Sequence, residues 1–353
     1  MRFVPLAGIL LAVVMVAVGI WQITETPGSL LKEELPTVLP TSTPGEPVII
    51  TIQEGQNAQE VGDKLEDAGV ISSGLLFRVL VALEGYDQKL VAGDYELEKG
   101  MPTLEVAERI HRGQTAPLVV TIREGLRAEE IAELMDSKKV ISAEDFLQAI
   151  DQWYEFGFLY TKPYWANLEG YLFPDTYFFS RNTTTAEEVV QQILENFDQR
   201  FDADLREEAA VAGLSLRTVL ILASIVEREA QVPDERPIIA GVFLTRLRRG
   251  MQLEADPTVQ YALGNDPASV AEYGYWKQEL TQADLEVDSL YNTYRNAGLP
   301  PGPICNPGLA SIQAVIRPAQ TDYLYFVARA DGSHVFAETL EEHLSNIQQY
   351  GGR

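Results

Sequence analysis

The sequence predicts an α+β protein. An N-terminal transmembrane helix comes first, then a small α+β domain, then a larger α+β domain built on a buried central helix. Three observations predict this. Residues 3–21 form an uncharged apolar run. Residues 47–150 carry one strand–turn–helix pattern twice, seventy positions apart. Residues 215–231 form an apolar helical stretch with two carboxylates inside it.

The chain has 353 residues, enough for two or three domains, and 46% apolar residues to fill their cores. Its formal net charge of −25 argues against nucleic acid as a partner, because phosphates would be repelled. The single cysteine, Cys305, excludes an intramolecular disulfide. The three histidines (His111, His334 and His343) are scattered and no CxxC is present, so no zinc site is expected, nor any other metal or cofactor.

The run 3–21 has 19 residues, long enough to span a hydrocarbon core. Arg2 and the terminal amine precede it, which keeps the N-terminus cytoplasmic and sends the rest across. A cleaved signal peptide has a core of about 7–15 residues and a small-x-small site. This run is longer and ends in the interfacial Trp21, so it reads as an uncleaved single-pass anchor spanning residues 1–22. Residues 23–46 read as an extended linker, with Pro27, Pro36, Pro40 and Pro44 among Thr, Ser and Glu.

The repeat follows. Thr51-Ile52-Gln53-Glu54-Gly55 leads into an amphipathic helix and then Val70-Ile71-Ser72; Thr121-Ile122-Arg123-Glu124-Gly125 leads into another and then Val140-Ile141-Ser142. Each unit reads as strand, Glu-Gly turn, short helix, and a second helix opening at Ser72 or Ser142. Residues 92–97 read as a strand, and 102–112 as a helix stopped by Gly113. The domains are therefore 47–115 and 116–353, the second including the repeat copy at 118–150.

Residues 151–180 hold a dense aromatic cluster. Such rings stack on sugar faces or fill a core. A capping box at Thr184 or Thr185 opens a helix to about residue 201. The central helix begins at the N-cap Ser215 and stops before Pro233. Leu216, Leu220, Ala223, Glu227 and Ala230 share one stripe, so Glu227 lies on an apolar face that should raise its pKa, as a general acid requires. Glu229 lies roughly 200° around the helix, beside Leu222, Ile225 and Val226. Periodicity does not choose between the two, and either could be paired with Arg228, Arg236 or Arg246. A helix from 237 to 249 follows, then a turn with Asp256 as N-cap, the stretch Tyr291-Asn292-Thr293-Tyr294, rigid Pro/Gly turns from Gly298 to Gly308, a hairpin over 323–336, and a last helix from about Thr339.

These pieces together resemble the YceG-like family of endolytic murein (lytic) transglycosylases. The matching stretches are LASIVEREA (222–230), GYLFPDTY (170–177), ADPTVQY (255–261), YNTY (291–294), GLPPGPI (298–304) with NPG, and YLYFVA followed by His334 and Phe336. No single stretch is diagnostic, but the ordered set is specific. The resemblance implies a LysM-like glycan-binding domain at 47–115 and assigns catalysis to the first Glu of IVERE, Glu227. It implies cleavage of the β-1,4 bond between N-acetylmuramic acid and N-acetylglucosamine within nascent strands, leaving 1,6-anhydromuramic ends and terminating elongation. Ser224, Asp256, Thr258, Gln260, Tyr261, Asn292 and Tyr294 are the candidates for orienting sugar or acid. The implied partners are peptidoglycan glycan strands, the membrane through the N-terminal helix, and a peptidoglycan polymerase complex. The implied location is the cell (inner) membrane, with the catalytic domain outside the cytoplasm.

Two other readings stand beside this one. A two-carboxylate muramidase-type hydrolase would pair Glu227 with Asp256 or Glu254 and leave reducing ends. A non-catalytic membrane-anchored glycan-binding protein would bind strands without cutting them.

Overall fold

The computed structural model describes residues 45–86, 89–180 and 184–350. The run 3–21, and with it the expected anchor and the linker up to residue 44, lies outside the described residues. Among those described, no single helix is long and apolar enough to cross a membrane. The fold is α+β, with 13 α-helices and three two-stranded antiparallel sheets among the described residues.

The first repeat unit forms β1 (Pro47–Ile52), α1 (Ala58–Asp67) and α2 (Gly74–Leu83), followed by β2 (Gly93–Glu98) and α3 (Thr103–His111). β1 pairs with β2, placing Ile50 opposite Tyr95. Alternation along β1 turns Ile50 and Ile52 inward, onto Val61, Leu65, Phe77, Val81 and Val106. This small core is separate from the main one. α2 starts one residue later than the repeat alignment suggests, because Ser73 rather than Ser72 caps it, accepting a bond from the Leu76 N–H.

The second unit forms β3 (Leu118–Thr121), α4 (Ala128–Ser137) and α5 (Ala143–Ile150). Its strand pairs with β4 (Thr176–Phe179), placed after the aromatic segment. Val120, Ile131, Met135 and Phe146 therefore join the main core. The aromatic segment divides its rings. Phe158, Tyr171, Phe173, Tyr177 and Phe179 are buried, whereas Trp153, Tyr160, Tyr164, Trp165 and Phe178 are exposed.

α6 (Ala186–Arg200) opens with the Thr185–Glu188 capping box. A short helix not read from the sequence, α7 (Ala203–Val211), follows with Asp202 as its cap. Then comes α8 (Leu216–Glu229), the helix on which the domain is built. The Ser215 hydroxyl accepts a bond from the Thr218 N–H at 3.1 Å and starts it. Every residue from Val219 to Val226 is buried. A fully buried aliphatic side chain contributes roughly 1.5–3 kcal/mol, so this stretch anchors the core. The helix stops where Ala230 turns extended. α8 packs against α9 (Arg236–Arg248), α10 (Asp256–Leu263) and α12 (Leu309–Ile316). Between the last two lies α11 (Pro267–Tyr273); β5 (Tyr325–Ala328), β6 (His334–Ala337) and α13 (Leu340–Tyr350) complete the chain. β5 and β6 form the expected hairpin, with Ala328 opposite His334.

Candidate active site

The C-terminal turn of α8 presents its two glutamates to different surroundings. Glu227 meets backbone and an arginine. Its Oε2 accepts the Gly308 N–H at 3.0 Å, and its Oε1 lies 3.6 Å from the Arg236 guanidinium. Gly308 is the N-cap of α12 and has no side chain to offer, so the Glu227 carboxylate does the capping. A second carboxyl group, Glu124 of the repeat's Glu-Gly turn, lies against the same glycine, where a Cβ at Gly308 would stand. Burial raises the pKa of Glu124, the charge of Glu227 raises it further, and Arg236 offsets part of this.

Glu229 faces a cavity of about 490 Å³ lined also by Glu254, Asp256, Tyr294, Arg329 and His334. Burial, and then the neighbouring Asp256 charge, push its carboxyl up to about 8. Its place at the negative end of the α8 dipole acts in the same direction. Glu229 is therefore mostly protonated at neutral pH.

The opposite wall is set by interlocking bonds between the two polar motifs. The Tyr294 hydroxyl donates to Asp256 Oδ1 at 2.6 Å. The Thr258 hydroxyl donates to the Ala255 carbonyl at 2.7 Å and lies 2.8 Å from the Thr293 hydroxyl. Asp256 was expected to be the N-cap of its helix. Ala255 holds that position, and the Asp256 side chain is bonded to Tyr294 instead. Buried Arg246 fixes the approach, donating to the carbonyls of Leu324, Gln252 and Leu253 and to Glu254. Glu254 has a φ of +50°, a strained value for a residue with a side chain.

Of the residues singled out from the sequence, the cavity brings together Glu254, Asp256, Tyr294 and His334 with Glu229, the alternative to Glu227. The others hold the frame. Ser224 donates to the Ile221 carbonyl and accepts the Ile304 N–H. Thr258 is fully buried. Gln260 donates to the Lys277 carbonyl at 2.9 Å. Tyr261 carries the Arg127 guanidinium 4.1 Å above its ring. Asn292 donates to the carbonyls of Leu285 and Val287.

Sequence reasoning passed over several residues that assemble this region. Glu169 is buried, accepts from Asn306 Nδ2 at 2.7 Å and from the Ala128 N–H at 3.0 Å, and is pushed up to about 8 by burial. Asn306 Oδ1 in turn accepts the N–H groups of Gly170 and Leu172. This pair locks the second repeat, the GYLFP turn and the NPG turn together. Arg127 is fully buried and bonds Glu129, the Tyr261 carbonyl and Asn265. A charge inside the aromatic stretch (Glu169) and one beside the Glu-Gly turn (Arg127) were the available signals.

The profile of the YceG-like family matches residues 50–349. An endolytic murein transglycosylase of Bacillus subtilis (strain 168) is 34% identical over 318 residues, covering 86% of this chain and 84% of that protein. One from Streptococcus pneumoniae (serotype 2, strain D39) is 33% identical over 328 residues, and the match spans 58% of its length. The crystal structure of a putative yceG-like protein from Listeria monocytogenes superposes with a TM-score of 0.58 at 34% identity, covering 85% of this chain and 98% of that one. The match over most of its length places the chain plainly: it belongs to the YceG-like family.

Proposed function

We propose that this chain is a peptidoglycan lytic transglycosylase, and that it cuts glycan strands in the cavity beside Glu229. The observation that carries this reading is the cavity itself. A carboxyl group held protonated by burial faces Asp256 and Tyr294, the polar residues of two motifs. Relatives named endolytic murein transglycosylases support the substrate and the reaction class.

One carboxyl group suffices for this chemistry. Glu229 gives its proton to the glycosidic oxygen as the bond from C1 of the muramic acid to that oxygen breaks. The carboxylate so formed takes the proton of the same sugar's C6 hydroxyl while O6 bonds to C1. A 1,6-anhydro end results, the acid is regenerated, and no water is consumed. Asp256 orients the sugar, and its nearby charge favours protonated Glu229. Tyr294 holds Asp256 in place.

The resemblance points instead to Glu227. Its carboxylate accepts the Gly308 N–H and lies beside Arg236, contacts that suit a helix cap. One observation favours the second reading: a second carboxyl group, Glu124, stands beside Glu227, and burial with the Glu227 charge raises the pKa of Glu124. Residues 47–115 serve in this account as a glycan-binding module, the run 3–21 holds the enzyme at the outer face of the membrane, and a peptidoglycan polymerase supplies the strand.

Mass analysis of glycan strands digested by the full-length chain tests the reaction. Anhydromuramic ends are expected. Reducing ends would move the assignment to a two-carboxylate hydrolase, and uncut but bound strands to a binding protein.

A further inference from the structure

The cavity contains a second proton-bearing group that the reaction above does not use. His334 opens β6, and Glu235 closes the short turn Pro233–Glu235 that follows α8. The Glu235 carboxylate accepts the His334 backbone N–H at 3.0 and 3.1 Å, and its Oε2 lies 2.7 Å from ring Nδ1. A carboxylate only accepts, so Nδ1 carries a proton, and in the uncharged tautomer with that proton Nε2 carries a lone pair. Phe326 packs edge-on against the imidazole, with centroids 5.3 Å apart and planes at 89°, which fixes its rotation. His334 is 8% exposed and lines the cavity with Glu229. Among the described residues, Nε2 takes no hydrogen bond.

The hairpin that carries His334 is seated on the segment that follows α8. Gly332, at φ +84°, lies so close to Gln231 that an added Cβ would stand 2.5 Å from its Oε1. The dyad is therefore held at a set distance from the last turn of α8. The other groups facing the cavity divide between donors and acceptors. Protonated Glu229 and Arg329 donate. The Tyr294 hydroxyl is spent on Asp256, and that leaves Asp256 and Glu254 as charged acceptors. His343 also faces the space, with its protonated form disfavoured by burial and by Arg246. A sugar carrying hydroxyl and acetamido groups presents several donors and needs acceptors in fixed places.

We propose that His334 is a positioning residue, oriented by Glu235 so that its Nε2 accepts a hydrogen bond from a sugar hydroxyl or acetamido N–H beside Glu229. The inference rests on reading the cavity as the cutting site. An acceptor fixed in this way restricts the rotation of the bound sugar, and orientation of that kind lowers the barrier to intramolecular attack by O6.

Rates of anhydro-end formation by the full-length chain on purified, uncrosslinked glycan strands test this. His334→Asn keeps an amide near the Nδ1 position but withdraws the Nε2 acceptor. It is expected to lose tenfold or more in kcat/KM, with circular dichroism unchanged. His334→Gln, which restores a polar atom near the Nε2 position, is expected to recover part of the loss. Glu235→Gln removes the anion that favours the imidazolium. The acid limb of the rate, where protonation of His334 destroys the acceptor, is then expected to move to lower pH. A merely structural role would move no limb.

Wild-type kcat/KM in His334→Asn, or an acid limb unmoved in Glu235→Gln, would overturn the proposal. The Glu235→Gln profile decides the matter if His334→Asn does not fold. Glu229→Gln in the same assay separates the two levels of the argument. Anhydro ends from that variant would overturn the reading of the cavity, whereas an inactive Glu229→Gln with unaffected dyad variants would overturn the role of His334 alone.

Discussion

Glu227 and Glu229 are two residues apart in one helix turn, yet they meet opposite chemistry. On one side, a backbone N–H, an arginine and a second carboxyl group surround Glu227 and seat α12 and the second repeat on α8. On the other side, a cavity surrounds Glu229, and burial with Asp256 nearby holds it protonated. The sequence offers the same residue type twice. What separates the two is the partner that each finds in the folded chain. For Glu229 that surrounding is burial and the Asp256 charge, both of which raise its pKa.

Four substitutions or conditions break or sharpen this contrast. The largest effect belongs to Glu229→Gln, which keeps the shape and removes the acid. Its cleavage rate is expected to fall by about 10²–10⁴-fold, with the fold retained by circular dichroism. Glu227→Gln is expected to cost stability instead, about 1–3 kcal/mol in chemical denaturation, because Arg236 loses its counter-charge and the cap of α12 weakens. A wild-type stability for Glu227→Gln together with a dead enzyme would reverse the two roles.

The third prediction concerns pH. The carboxyls of Glu229 and Glu169 rise in the folded chain from 4.5 to about 8. Between those values the folded state binds more protons than the unfolded state. Stability should therefore fall as pH rises from about 4.5 through 8, and denaturation midpoints at pH 5 and pH 8 measure the fall. The smallest effect is that of Tyr294→Phe. Loss of one hydrogen bond to Asp256 is expected to cost about 1 kcal/mol of transition-state stabilisation, or roughly fivefold in kcat/KM.

Much of the frame was legible because it is written in local signals. Ser215, the apolar run from Val219 and the stop before Pro233 define α8, and the structure draws it from Leu216 to Glu229. The two Thr-Ile-x-Glu-Gly turns also read correctly as turns, with φ of +82° at Gly55 and +80° at Gly125. Their fates did not read. Nothing lies within 4 Å of an added Cβ at Gly55, whereas the same atom at Gly125 meets Arg228 and Glu227. Glu124 was for this reason passed over as a repeat residue. Glu169 was passed over because its partners, Ala128 and Asn306, are 41 and 137 positions away. A 3.6-residue period ranks faces of a helix, but it carries no information about which face meets a cavity. That is why periodicity alone left Glu227 and Glu229 open and only the resemblance chose Glu227; the fold adds that Gly308 stands beside one and Asp256 near the other.

The central claim is that protonated Glu229 is the acid, and the pH profile of cleavage tests it most directly. Anhydro-end formation would be followed from pH 4 to pH 10 with the wild type and with Glu227→Gln. The account predicts an alkaline limb near pH 8 in both proteins, set by loss of the Glu229 proton. A limb that disappears or moves in Glu227→Gln would contradict it and return the proton to Glu227.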